Sequence, residues 1–169
     1  MKQSFWKTAL VSIGALMLMA ACSNEAAKPV EIDPETDTCA NCNMSVADNQ
    51  HATEIILTNG KTFVFDDIGC MFNWKDENED KEIEKSFVRD YDTDEWIEVE
   101  DSYFVYGEKI KTPMAFNVVS FEEESSAEKF AKESGGEVLT YKELEKHDWV
   151  QHKEMKHHNT DSHGEHSEM

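Results

Sequence analysis

Residues 51–58 (HATEIILT) and 61–66 (KTFVFD) are two β-rich runs separated only by Asn59-Gly60. An Asn-Gly pair between such runs tolerates the positive φ of a type I′ turn, so the stretch predicts an antiparallel hairpin and commits the chain to a sheet. Asp67 then stands where it can cap a helix with Ile68, Met71, Phe72 and Lys75 on one face and Cys70 and Trp74 on the adjacent one. Strands are expected over residues 86–91 and 96–99. From Ser102 the order recurs: strands at 103–106 and 116–121, a helix at 125–134, Gly135-Gly136, and a strand at 137–141. Phe65-Asp66-Asp67 before the first helix is matched by Phe121-Glu122-Glu123 before the second. The chain therefore reads as α+β, two similar β-β-α-β units that resemble a duplication. A last helix is expected over residues 142–150.

The ends are of another character. Lys2 and Lys7 precede an apolar stretch at residues 8–19, too short to span a bilayer comfortably, which closes on Leu18-Met19-Ala20-Ala21-Cys22. This reads as a lipoprotein signal peptide over residues 1–21, with Cys22 as the lipidated first residue of an extracytoplasmic, membrane-anchored protein. Residues 22–38, with Pro29 and Pro34, are expected to form a linker that holds the domain off the membrane. The domain proper is assigned to residues 39–150, with halves at about 39–100 and 101–150, and residues 151–169 to a disordered polar tail. The composition, 36 Asp+Glu against 16 Lys+Arg for a net charge of -20, excludes a nucleic-acid partner, since phosphate affinity comes from clustered basic side chains. It leaves room for steering a basic protein partner.

With Cys22 set aside, Cys39, Cys42 and Cys70 remain, an odd number in an exported chain, where cysteines usually pair. Residues 39–44 (CANCNM) place two thiols and the Met44 thioether within one short segment. All are soft donors, and a thioether suits Cu(I) better than Zn2+. Two other chemistries stay open. Zinc would be held by Cys39, Cys42, Cys70 and His51 as a Cys3His tetrahedron. A redox dithiol would normally follow a strand and open a helix, whereas this pair follows Pro34-Glu35-Thr36-Asp37-Thr38. Cys70 is equally readable as a ligand or as a small buried hydrophobe, Met71 as core, and Met114, after Thr112-Pro113, as packing. Asp66 and Asp67 are hard oxygen donors, unsuited to bind copper directly. His147, His152, His157, His158, His163 and His166 give the C-terminal region metal-binding composition, an auxiliary buffer for ions such as Cu2+, Zn2+ or Ni2+.

Taken in order, Cys22, Cys39-Ala-Asn-Cys42-Asn-Met44, Phe65-Asp66-Asp67-Ile68-Gly69, Arg89-Asp90-Tyr91, Thr112-Pro113-Met114 and Gly135-Gly136 resemble the NosL family of membrane-anchored copper-binding lipoproteins. The departures are Asn43 and Ala115, where the family favours glycine. The resemblance implies two β-β-α-β halves and a Cu(I) chaperone, not an enzyme, that serves nitrous-oxide reductase or its assembly complex. It also implies metal ligands at Cys39, Cys42, Met44 and Met114. The family's fold is in turn similar to that of organomercurial lyases, and this keeps an enzyme reading with thiols and Asp66 or Asp67 in view.

Overall fold

The computed structural model describes residues 27–149. Among these, the first hairpin is β1 (Thr53–Leu57) and β2 (Thr62–Phe65), and helix α1 (Ile68–Glu77) follows. Strands β3 (Ile83–Arg89) and β4 (Trp96–Glu98) complete an antiparallel sheet of order β2-β1-β3-β4. A single 3-10 turn, Val99–Asp101, leads to β5 (Tyr103–Tyr106), β6 (Val118–Phe121), α2 (Glu124–Ser134), β7 (Glu137–Thr140) and the short α3 (Tyr141–Leu144). The second sheet has the order β6-β5-β7. In each sheet the first strand of the hairpin lies between the second and the strand that follows the helix, so the predicted α+β pair of β-β-α-β units is present.

Three local details differ from the sequence expectation. In the hairpin, Gly60 alone takes a left-handed φ (79°), and the Gly60 N–H closes on the Leu57 carbonyl at 2.8 Å. The corner is therefore Thr58-Asn59 with a glycine bulge rather than a type I′ Asn-Gly turn; the Asn59 side chain instead accepts the Lys61 N–H at 3.0 Å. The last helix is one turn, opened by a reciprocal capping box between Thr140 and Glu143, and does not extend over residues 142–149. The chain leaves it to seat Trp149, whose ring stacks on Phe72 at 4.8 Å. Finally, the second part of the expected linker is docked. Ile32 is buried, and the Val30 N–H donates to both carboxylate oxygens of Glu54 at 3.0 and 3.2 Å.

Helix α1 is buried on more than the one face its periodicity suggests: Ile68, Gly69, Cys70, Met71, Phe72 and Trp74 are all inaccessible. They join Ile55 and Phe65 of the first sheet and Phe104 and Val118 of the second in a single core. The opposite face of the second sheet, Val105, Val119 and Phe121, packs on Ala127 and Ala131 of α2. Two carboxylates of the first half fasten the second. Asp90 accepts the Glu122 N–H at 2.8 Å, and Asp67 accepts the Met114 N–H at 2.9 Å.

Candidate metal centre

The segment that carries Cys39 and Cys42 is a closed loop. Its base is an antiparallel bridge between Thr38 and Ser45, and the Cys39 N–H donates to the Met44 carbonyl at 2.7 Å. The Asn43 N–H returns to the Cys39 carbonyl at 2.9 Å, and Asn43 itself takes the left-handed conformation (φ 60°). The Ala40 N–H donates to the Val64 carbonyl at 3.0 Å and so lays the loop along β2. Both sulfurs thereby reach the end of that strand, where Asp66 and then the first turn of α1 follow.

Asp67 is the N-cap of α1, its carboxylate accepting the Gly69 N–H at 3.2 Å. Three residues on, Cys70 faces inward from the first turn. The result is one cluster: Sγ of Cys39, Cys42 and Cys70 and a carboxylate oxygen of Asp66 all lie within 4.8 Å of one another. Cys39 and Cys70 are fully buried and Cys42 is half-buried, so the cluster is closed on the core side and open at Cys42. The Cys42 thiol donates to Asp66 at 3.5 Å.

Four groups that ionise to anions share this space, and they do so unequally. The hydrogen bond donated by Cys70 holds Cys39 down to about 6, against the pull of burial. Cys70 is pushed up, first because its proton is engaged in that bond and second by burial. Burial raises Cys42 to about 11, and the neighbouring Cys39 adds to the rise. One thiolate therefore sits among two thiols, and a soft cation is the species that would let all three sulfurs ionise together.

The methionines occupy different positions. Met44 is 54% exposed beside the open side of the loop. Met114 packs against the same core that contains Cys39 and Cys70, and its backbone is held by Asp67. Phe116 lies on Gly69 so closely that a Cβ there would stand 2.1 Å from its ring. Asn43 and Ala115, the two departures from the resembled pattern, both take the left-handed conformation that glycine favours, at φ 60° and 59°. Ala115 thus carries a steric cost that Asn43 largely avoids.

Of the sequence-predicted residues, Cys39, Cys42 and Cys70 converge, and Cys70 does so while fully buried in the core. Asp66 joins them although its hardness argued against it as a direct copper ligand. Its visible signal was the doubled Asp66-Asp67 at a strand end, and its role here is to accept from a thiol, for which softness is irrelevant. His51 is absent from the cluster and tilts against Tyr91, its pKa lowered by burial, so the Cys3His zinc set does not form. The cysteine pair opens no helix, and the depressed thiol owes its state to Cys70 rather than to a helix terminus. His147 is docked, its ring 4.7 Å from that of Tyr106 and 4.9 Å from that of Trp149. Cys22 and the histidines at 152, 157, 158, 163 and 166 lie outside the described residues.

Comparison with known proteins adds to this geometry. No curated protein sequence matches the chain. Among solved structures it is similar to the crystal structure of the copper chaperone NosL from Shewanella denitrificans, with a TM-score of 0.62 and 20% identity over 69% of this chain and 94% of that one. At that identity the likeness speaks for a shared fold. The NosL family model matches residues 29–149, from just before the docked Val30 to Trp149, and so takes in both sheets and the whole thiol cluster. The chain belongs to the NosL family.

Proposed function

We propose that this protein carries Cu(I) outside the cytoplasmic membrane, anchored through a lipid on Cys22, and delivers it to an exported cuproenzyme or its assembly complex, nitrous-oxide reductase foremost. The observation that supports this is the convergence of three thiols from two separate segments within 4.8 Å, buried on one side and open at Cys42. Thiolate is the donor class Cu(I) prefers. A site that holds the ion from within and leaves one face open admits a ligand from the acceptor before its own sulfurs let go, so the ion passes without being freed. The family and the copper chaperone of similar fold point the same way, toward carriage rather than turnover. The methionines of the two flanking loops, Met44 and Met114, are the soft donors that complete the site.

The presence of Asp66 favours a second reading, since three thiolates and a carboxylate also make a tetrahedral zinc set. Chelator competition on the reduced protein under anaerobic conditions separates the two. One tightly held Cu(I), with only sulfur scatterers in X-ray absorption, supports the copper reading. Tight zinc with an oxygen ligand that copper fails to displace replaces it with the zinc reading.

A further inference from the structure

The loop over residues 107–117 holds Met114 in a backbone that is costly to maintain. Just after the methionine, Ala115 and Asn117 both take the left-handed region, at φ 59° and 64°. Asn117 is buried and its Oδ1 has no partner, although its Nδ2 donates to the Glu108 carbonyl at 2.9 Å. A loop of this kind persists where its surroundings over-determine it. Its outside fasteners stand at the start of α1. Asp67 Oδ2 accepts the Met114 N–H at 2.9 Å while Oδ1 accepts the Gly69 N–H at 3.2 Å. The Thr112 hydroxyl bonds the same carboxylate, and its oxygen accepts the Asn117 N–H at 3.1 Å. On the far side of the methionine, Phe116 lies on Gly69. Met114 is thus clamped from both sides to residues 67 and 69, and Cys70 is the next residue of that turn. Asp67 is only 1% exposed, a costly place for a carboxylate unless both of its oxygens are used.

We infer that Asp67 is a positioning residue of the metal centre: its carboxylate locks the Met114 loop to the helix turn that carries Cys70, so that the thioether is set in place before the ion arrives. The inference rests on the Cu(I) reading of the thiol site and on Met114 as one of its donors. A methionine side chain turns about three bonds and ends in a weak donor, so ordering it at the moment of binding would offset much of what its bond to the ion contributes. Fixing its backbone beforehand removes part of that cost. A carboxylate suits two converging N–H groups because it offers an acceptor to each. An amide offers one oxygen and turns an NH2 group toward the second donor. Asp67 thereby acts through Met114 and touches no ion itself, in keeping with its hard oxygens.

A double-mutant cycle on the full chain tests this, with Cu(I) affinity taken from anaerobic chelator competition. Asp67→Asn is expected to lower affinity roughly tenfold, the effect of losing a group that orients a metal ligand. Met114→Leu should lower it by a similar factor, and adding Asp67→Asn to Met114→Leu should change it by less than about twofold. The charge of Asp67 is lost in both backgrounds, so the cycle separates positioning from electrostatics. In NMR of the protein with isotope-labelled methionine methyl groups, the Met114 resonance, identified by its absence in Met114→Leu, should move on Cu(I) binding in the parent and move far less in Asp67→Asn. Thr112→Val removes one fastener, leaves the helix cap in place and should weaken binding about two- to threefold, while Thr112→Ser should match the parent. This pair carries the same cycle if Asp67→Asn does not fold. A loss from Asp67→Asn or Thr112→Val that is as large in the Met114→Leu background as in the parent overturns the inference. So does a Met114 methyl that responds to Cu(I) alike in the parent and in the Asp67 or Thr112 variant. If Met114→Leu keeps full affinity, the inference falls and the thiol site stands. If instead Cys39→Ser and Cys42→Ser leave Cu(I) affinity unchanged, it is the proposed function that fails.

Discussion

The two halves of the molecule wind the same way and are equipped differently. Thr53 pairs with Phe65 at the open end of the first hairpin, and Tyr103 with Phe121 at the same place in the second. In both, two acidic residues follow and a helix begins. Asp67 caps its helix with a side-chain hydrogen bond, whereas Glu123 makes none. Three positions after each cap stand Cys70, buried, and Ser126, partly exposed. The first hairpin closes in a tight corner, while the second is opened by a long loop over residues 107–117. That loop crosses to the other half, where Met114 is held by Asp67 and Phe116 lies on Gly69. One copy of the motif thus holds the thiols, and the other supplies a wall and a third segment. Every ligand atom of the cluster thus comes from the first half, and the second closes over it by packing without enlarging either.

The difference can be broken most sharply at the helix entrances. Cys70→Ser, like Cys39→Ser and Cys42→Ser, replaces a thiolate by a hydroxyl that a soft ion does not accept, and each should lower Cu(I) affinity by orders of magnitude in chelator competition. Ser126→Cys, the mirror change, should create no second tight site, because no cysteine loop lies along β6. Next in size is packing. Gly69→Ala places a methyl 2.1 Å from the Phe116 ring and should cost about 2 kcal/mol or more by urea unfolding. At the equivalent, exposed Ser125, alanine should change stability by less than about 0.5 kcal/mol.

A third contrast lies on the central strands. The register makes Glu54 of β1 the counterpart of Phe104 of β5, yet both are fully buried. Burial, opposed in part by the Val30 N–H and Arg89, raises Glu54 from 4.5 to about 7. Between those values the folded protein keeps a proton that the unfolded chain has lost. Stability attributable to this site should therefore fall as pH rises from 4.5 through 7 and level off above. Glu54→Gln keeps an acceptor for Val30 and should flatten that slope; an unchanged slope would mean that Glu54 ionises normally. The smallest effect is at the loop residues beside the methionines. Ala115→Gly should raise stability by about 0.5–1 kcal/mol by relieving its left-handed backbone, and Asn43→Gly should change little, since asparagine tolerates that conformation.

Much of the fold was legible because it is written in local signals. The runs around Asn59-Gly60, the Asp67 cap and Gly135, which ends α2 at φ 75°, each act within a few residues. The turn type escaped because both a glycine bulge and a two-residue turn satisfy the same sequence, and the choice falls to the pairing of Leu57 with Lys61. The final helix was overextended because helical propensity says nothing about Phe72 and Phe116 waiting for Trp149. The CANCNM segment, Cys70 and Asp66 were all readable as candidates, but their convergence rests on the bond from Ala40 to Val64, which fixes how the loop lies on β2. Long-range register of that kind leaves no periodicity in a sequence.

The grip of Glu54 on Val30 also sets a length. With Cys22 as the proposed point of lipid attachment, eight residue steps separate it from Val30, whose backbone is fastened to Glu54 of the sheet, a span of at most about 28 Å. The expected linker would have run sixteen steps, to Thr38, and roughly doubled that reach. With the proposed lipid in place, the shorter leash would confine the thiol site to a thin layer over the bilayer. On that proposal its search for an acceptor would be nearly two-dimensional, and a client whose copper site stands far above the membrane would have to come down to meet it.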